Sequence, residues 1–440
     1  MTRHARADTA VGRNRVVALA VGLLLTVAAA LAPLVAPSWG AGVVAADGPS
    51  AATGVVPPAS TPTPTPTPTP DPDAQFTIVA AGDVLPHLPV LSSARVAGGG
   101  YDFSPVLSGL DPWVQGADLA LCHLEVPVAP PGTAPSGYPM FGTPAEIAAA
   151  LRAQGWDGCS TASNHSVDRG FSGVTATLDA LDAAGLGHVG TARSAIEQSQ
   201  PQLYTLERAG QRITVAHLAA AYGTNGMPID ADKPWSVNVI DVPALVAQAT
   251  SARAAGADLV VASVHCCVEY VTEPTPEQVT IDQELADSGV IDLVIGHHAH
   301  VPQPVAKLTG GPRGEGMWVA YGLGNYLSNQ DGACCSVNTD SGLLLTAHIE
   351  SAGAFAADGR AAGPARVTGV EWTPITVDRR SGHQVHALAD ITGGTGTLSP
   401  AAVAARTARV VAAAGSAAPE RTTPPTPTGV APVVVPRAAG

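Results

Sequence analysis

Three imidazoles fall within four residues in the stretch IDLVIGHHAHVPQPV, at His297, His298 and His300. Neutral imidazole is the commonest nitrogen ligand for metals, and three at one place outweigh the reading as idle surface loop histidines. On an extended backbone the alternate residues His298 and His300 point to the same side. The apolar run before them, Ile291, Leu293, Val294 and Ile295, has the pattern of a strand buried on both faces, and it stops at Gly296. The carboxyl ends of such strands are where α/β sheets handle ligands.

The same arrangement recurs along the chain. FTIVAAGD ends on Asp83, ADLALCHLE on Glu125, and DGCSTASNH on Asn164 and His165, with Asp168 three residues on. DLVVASVH ends on His265, with Glu269 four residues later. Ends of parallel strands share one edge, so these side chains can converge. Asp83, Glu125, Asn164, His265, His298 and His300 then form a donor set for one or two divalent ions. Mixed oxygen and nitrogen donors suit Mn, Fe or Zn better than Mg or Ca. Two such ions clamp the attacking and leaving oxygens of a phosphoryl transfer. His165 stands where an acid toward the leaving group is needed, and Asp168 can orient it.

The elements that must position these residues repeat as helix, glycine stop, strand. TPAEIAAALRAQG carries Thr143 as N-cap, Pro144 at the first helical position and Glu146 closing a capping box. Helical patterns likewise stop at Gly185, Gly256 and Gly289, the last opening on Thr275, Pro276 and Gln278. Four αβ units in series predict a layered α/β fold with a largely parallel first sheet. Met317–Leu327, Gly342–Glu350 and Ala365–Val377 read as strands without intervening helices, predicting a second, more antiparallel sheet.

Outside that region the composition changes. Residues 1–46 hold a basic start and the apolar run VVALAVGLLLTVAAALAPLVA, a signal peptide or an N-terminal membrane anchor, so the bulk of the chain is expected to be exported. Residues 47–75 form a Thr/Pro-rich linker, 76–380 the main domain, 381–416 a C-terminal extension, and 417–440 a disordered tail. The net charge of −14, with lysine only at Lys233 and Lys307, argues against nucleic acid as a partner. Six cysteines, Cys122, Cys159, Cys266, Cys267, Cys334 and Cys335, make disulfides the default reading in an exported chain.

The blocks GDV, HLE, SNHSVDRG, HCCVEY, GHHAHVPQ and YGLGNY resemble, in this order, the bacterial CapA family of capsule and poly-γ-glutamate synthesis. The resemblance covers about Phe76 to Leu345 and implies a calcineurin-like metallophosphoesterase sandwich. It adds Glu269 to His165 and Asp168 as a catalytic candidate, and it adds Gln303 and Asn325, which together with His297 are expected at the rim. The sequence departs from the family pattern at His123, Cys267, Ala299 and Gly322, and no histidine stands two residues after Asp83. Against the wider superfamily one metal position is therefore short of a ligand. The implied function is a metal-dependent hydrolase acting on a phosphoester or polymer bond. The alternative is a non-catalytic envelope module that assists synthesis, export or anchoring of an anionic polymer beside membrane partners. Cys122 and Cys159 lie on strands that could be neighbours, and a bridge is expected between the 266/267 and 334/335 pairs, because both loops border the family's site.

Overall fold

The computed structural model describes residues 72–353 and 365–438. The expected export segment and nearly all of the Thr/Pro-rich linker lie outside the described residues. Among the described residues no helix is long and apolar enough to cross a membrane.

Strands β1 (Ala74–Val84), β2 (Leu119–Leu124), β3 (Gly158–Ser160) and β4 (Gly187–Val189) run parallel, each beside the next. Strands β5 (Gln202–Arg208) and β6 (Gln211–Ala221) form a hairpin that opens a second sheet. To it β7 (Leu259–His265), β8 (Leu293–His297), β9 (Val305–Leu308) and β10 (Met317–Ala320) are added, with β6, β7, β8 and β10 parallel. The chain then returns to the first sheet with β11 (Asn325–Leu327), β12 (Ser341–Ser351), β13 (Ala365–Asp378) and β14 (Gln384–Ala387). The last strand, β15 (Val433–Val435), edges the second sheet against β5. The layered α/β architecture with two sheets and flanking helices is the one expected, but both sheets are mixed, rather than the first largely parallel and the second more antiparallel. What the sequence did not disclose is that the parallel αβ units are shared between the sheets, two in each.

Alternation along the strands sets the layers. Phe76, Ile78 and Ala80 face a central core with Val215, Val261 and Ile295 of the other sheet, while Val79 and Ala81 face outward. The outward face of the first sheet is covered by α1 (Glu146–Gln154) and α2 (Gly170–Ala184), through Ile147, Leu151 and Leu181. Helices α3 (Val242–Ala254) and α4 (Pro276–Asp287) cover the second sheet through Leu245, Ala249 and Leu285. Each fully buried Leu, Ile or Phe in these layers stabilises the fold by about 1.5–3 kcal/mol.

The capping box at Thr275 and Gln278 forms as expected. The one at Thr143 does not. Helix α1 starts at Glu146 with no side-chain cap, because the Thr143 backbone is held by Pro127 and Ala129. The C-terminal segments also depart from expectation. Residues 381–416 contribute β14 and α5 (Pro400–Ala414), whose Val403 and Val410 enter the central core. The tail expected to be disordered is packed. Its Thr428 amide donates to Asp118 (2.7 Å), and its Arg437 donates to the carbonyls of His188 and Glu197, both at 2.6 Å. A proline- and threonine-rich stretch needs no core of its own when it lies along an existing sheet and meets prepared polar partners.

Candidate metal centre

Asp83, at the end of β1, is fully buried. Its amide donates to the Gly324 carbonyl (2.9 Å), and a Cβ on Gly82 would overlap that same carbonyl. Glycine is what lets β1 approach the Gly324 turn, which has φ +67°. Glu125, just past the end of β2, follows two residues after His123, and both reach the site. The ends of β7 and β8 bring His265, His297, His298 and His300 from the opposite sheet. The convergence is therefore between two sheets rather than along one edge.

His298 and His300 do not reach the site along an extended strand. β8 ends at His297, and both residues turn with positive φ, 82° and 55°. Left-handed backbone at non-glycine residues costs on the order of 1–2 kcal/mol each and clusters at functional sites.

Among the described residues three overlapping groups of carboxylate and imidazole atoms result, each with all its atoms within 4.8 Å of one another. They are Asp83 with His123 and His265, Asp83 with Glu125 and His300, and Glu269 with His298 and His300. His300 Nδ1 lies 3.0 Å from Asp83 Oδ2 and its Nε2 3.6 Å from Glu125 Oε1. Asn164 does not present a bare oxygen, because its Oδ1 accepts from His265 Nε2 at 2.7 Å.

The expected rim residues prove to be interior. His297 stacks on His123 (centroids 4.0 Å apart) with Nδ1 3.5 Å from Asp83. Asn325 braces His300, accepting from its ring and donating to its carbonyl, both at 3.2 Å. Gln303 ties the loop together, donating to the Val271 carbonyl and accepting from Gln278, both at 2.8 Å. A buried amide satisfied on both sides is a brace.

The donor set fits divalent metal. Asp83 Oδ2, both Glu125 oxygens, His298 Nδ1 and both His297 nitrogens are buried with no hydrogen-bond partner. Unpaired buried polar atoms are costly, and a cation would satisfy several together. The electrostatics agree. Burial holds the His123 and His265 rings well below the usual range, and pushes His298 down to about 3, so these rings are neutral. Burial would lower His300 too, but Glu125 and Asp83 outweigh it and raise it to about 9. Burial also pushes Glu125 well above the carboxylate range; for Asp83 burial acts the same way but is outweighed by the adjacent His297, His300 and His123 rings, which hold it well below.

Above the cluster opens a cleft of about 690 Å³, onto which His300, Glu269, His165 and Asp168 face. His165 Nδ1 is bound to Asp168 Oδ2 at 2.8 Å, and the same carboxylate oxygen accepts from the Phe141 amide at 2.8 Å. Phe141 sets its ring edge-on to His165, 4.8 Å away. Tyr138, Phe141, Met227 and Tyr270 supply an apolar and aromatic wall. The sequence reading missed His123 as a site residue. Its signal was present, two residues before Glu125 on a strand. Phe141 and Met227 carried no signal, because loops bring them in.

The cysteines correct one expectation. Cys122 and Cys159 sit in register on β2 and β3, Cα atoms 4.3 Å apart, and are paired. The other four pair as neighbours, Cys266 with Cys267 and Cys334 with Cys335, rather than across the loops. Cys266 points away from the cleft into the core under α3 and α4, while Cys334 and Cys335 line the cleft, so the two pairs do not meet.

A family described as bacterial capsule synthesis protein PGA_cap matches residues 77–330, more than half of the chain and every residue of the cluster. The chain belongs to this family. Among curated relatives, a Probable polyglutamine synthesis accessory protein of Mycobacterium tuberculosis is 29% identical over 183 residues, covering 40% of this chain and 46% of that one. The capsule biosynthesis protein CapA of Bacillus anthracis is 27% identical over 190 residues, covering 42% and 43%. The chain thus spans less than half the length of these relatives. Among solved structures, the NAD nucleotidase of Haemophilus influenzae superposes with a TM-score of 0.42 at 14% identity, covering 72% of this chain and 60% of that one.

Proposed function

We propose that this PGA_cap protein is an exported, metal-dependent hydrolase that cleaves a phosphoester, or an amide bond of an anionic envelope polymer, in capsule or poly-γ-glutamate metabolism. The observation that carries the reading is the set of buried, unpartnered carboxylate and imidazole atoms beneath a cleft whose wall holds the His165–Asp168 pair. When bound there, divalent metal supplies Lewis-acid polarisation of the scissile group and of an attacking water.

The chain's own residues do the rest. Asp83, Glu125, His265, His298 and His300 hold the charge, with Asn164 orienting His265. Asp168 fixes His165 by its Nδ1, which leaves Nε2 to give a proton to the leaving group in the cleft. Glu269, half-buried at the cleft floor, takes a proton from the attacking water or adds a carboxylate beside His298 and His300. The aromatic wall excludes water and seats the part of the substrate next to the cleaved bond.

The test is a screen of metal-stripped protein with and without Mn, Zn or Fe, against phosphomonoesters, phosphodiesters and oligo-γ-glutamate. Metal-dependent turnover of one class is expected. Stoichiometric metal binding without turnover of any of them would replace this reading with that of a non-catalytic envelope module.

A further inference from the structure

His123 belongs to none of the roles assigned above, yet it lies at the centre of the cluster. It is the register partner of Asp83 across β1 and β2, and both are fully buried. Its Nε2 lies 2.9 Å from His265 Nδ1 and 3.9 Å from Asp83 Oδ1. Its Nδ1 lies 2.8 Å from Ser160 Oγ. His297 covers its face, the two rings only 17° from parallel. The ring is thus held on its edge by Ser160 and on its face by His297.

Two proton arrangements satisfy this geometry. In the first, Ser160 donates to Nδ1, and His123 Nε2–H donates to His265 Nδ1. His265 Nε2–H then donates to Asn164 Oδ1. That is a closed hydrogen-bond relay. In the second, the Ser160 hydroxyl turns to the Cys122 carbonyl, 3.5 Å away, and accepts from Nδ1–H. His123 Nε2 and His265 Nδ1 then both carry lone pairs, with the Asp83 carboxylate alongside. A hydroxyl rotation together with a shift of the His123 proton from Nε2 to Nδ1 therefore converts the relay into a three-donor cation site. Two nitrogens bound side by side at about 2.1 Å on an octahedral ion stand about 3.0 Å apart, close to the spacing found.

We infer that His123 is a ligand of the metal centre, and that with Asp83 and His265 it makes the position for one divalent ion, oriented by Ser160. This assignment rests on the metal-centre reading but not on hydrolysis. It answers the shortage of a ligand left by the missing histidine after Asp83, since β2 supplies an imidazole where β1 supplies none.

The experiment compares the wild-type chain with His123→Asn and Ser160→Ala by cobalt(II) titration, following the visible d–d absorption and the metal content by mass spectrometry. For His123→Asn, cobalt bound should fall by one ion per chain, or its Kd should rise at least about ten-fold, with a changed d–d band. Ser160→Ala should weaken binding by about ten-fold at unchanged stoichiometry. Unchanged stoichiometry, affinity and spectrum in His123→Asn would overturn the assignment and leave His123 as part of a structural relay. Should that variant not fold, unchanged cobalt affinity in Ser160→Ala overturns it equally. Altered cobalt binding in a protein that turns over no substrate would keep this assignment and sink the hydrolase reading. A metal-dependent hydrolase whose cobalt site ignores both substitutions does the reverse.

Discussion

At the scale of single residues, His165 and the metal donors should separate cleanly. His165→Asn removes the proton donor but touches no donor atom of the cluster, since its ring is bound to Asp168. It should lower kcat by about 100- to 10,000-fold while metal content stays the same. Loss of metal in that variant would show that His165 is a ligand and not an acid. Asp282, in α4, tests the electrostatics away from the site. It is buried with Oδ1 unpartnered, and burial raises its carboxyl to about 8. The folded state therefore favours the protonated acid. Its contribution is fully present below the unfolded value of about 3.9 and is lost as the pH rises toward 8. Asp282→Asn should change little at pH 4 and stabilise the protein by on the order of 1–3 kcal/mol at pH 8. A thermal-melting difference that does not grow with pH would contradict this.

At the scale of elements, the site depends on how closely strands meet. Gly82→Ala would press a methyl into the Gly324 carbonyl and force β1 away from the turn before β11. A cost of about 2–3 kcal/mol is expected, with weaker metal binding because Asp83 moves with the strand. Denaturant unfolding and metal content measure both. The pairing of Cys122 with Cys159 closes a separation of 37 residues. A disulfide there should stabilise the fold by about 3–4 kcal/mol in the chain-entropy account, and Cys159→Ala should lose it. The adjacent pairs close almost no loop, so Cys334→Ala should cost far less. Peptide masses of the non-reduced digest check the pairing directly. The helix units, their glycine stops and the cap at Thr275 were legible because they are local. The Thr143 cap was not, because a long-range bridge captured that backbone.

At the scale of the whole molecule, the C-terminal segment closes the structure. Asp118, buried between β1 and β2, accepts from the Thr77 and Thr428 amides and pairs with Arg208 at 2.8 Å. Burial lowers Arg437 to about 10, yet it stays charged at neutral pH and is spent on backbone carbonyls. Removing residues 427–440 should therefore lower stability by about 2–5 kcal/mol, because Asp118 loses partners and the β5 edge is exposed. A truncated chain that melts with the full chain would show the tail to be dispensable.

The sequence by itself determined the ligand types, their places at strand ends, the αβ units and the family blocks, because each is written in contiguous residues and short periods. It could not determine which sheet each strand joins, since pairing is a contact between distant segments with the same apolar pattern. Only the tertiary structure decided that two sheets face each other across the site, that His297 and His123 are interior, and that the six cysteines pair as they do. Those outcomes turn on register, on backbone turning left-handed at His298 and His300, and on burial supplied by segments far away in the chain.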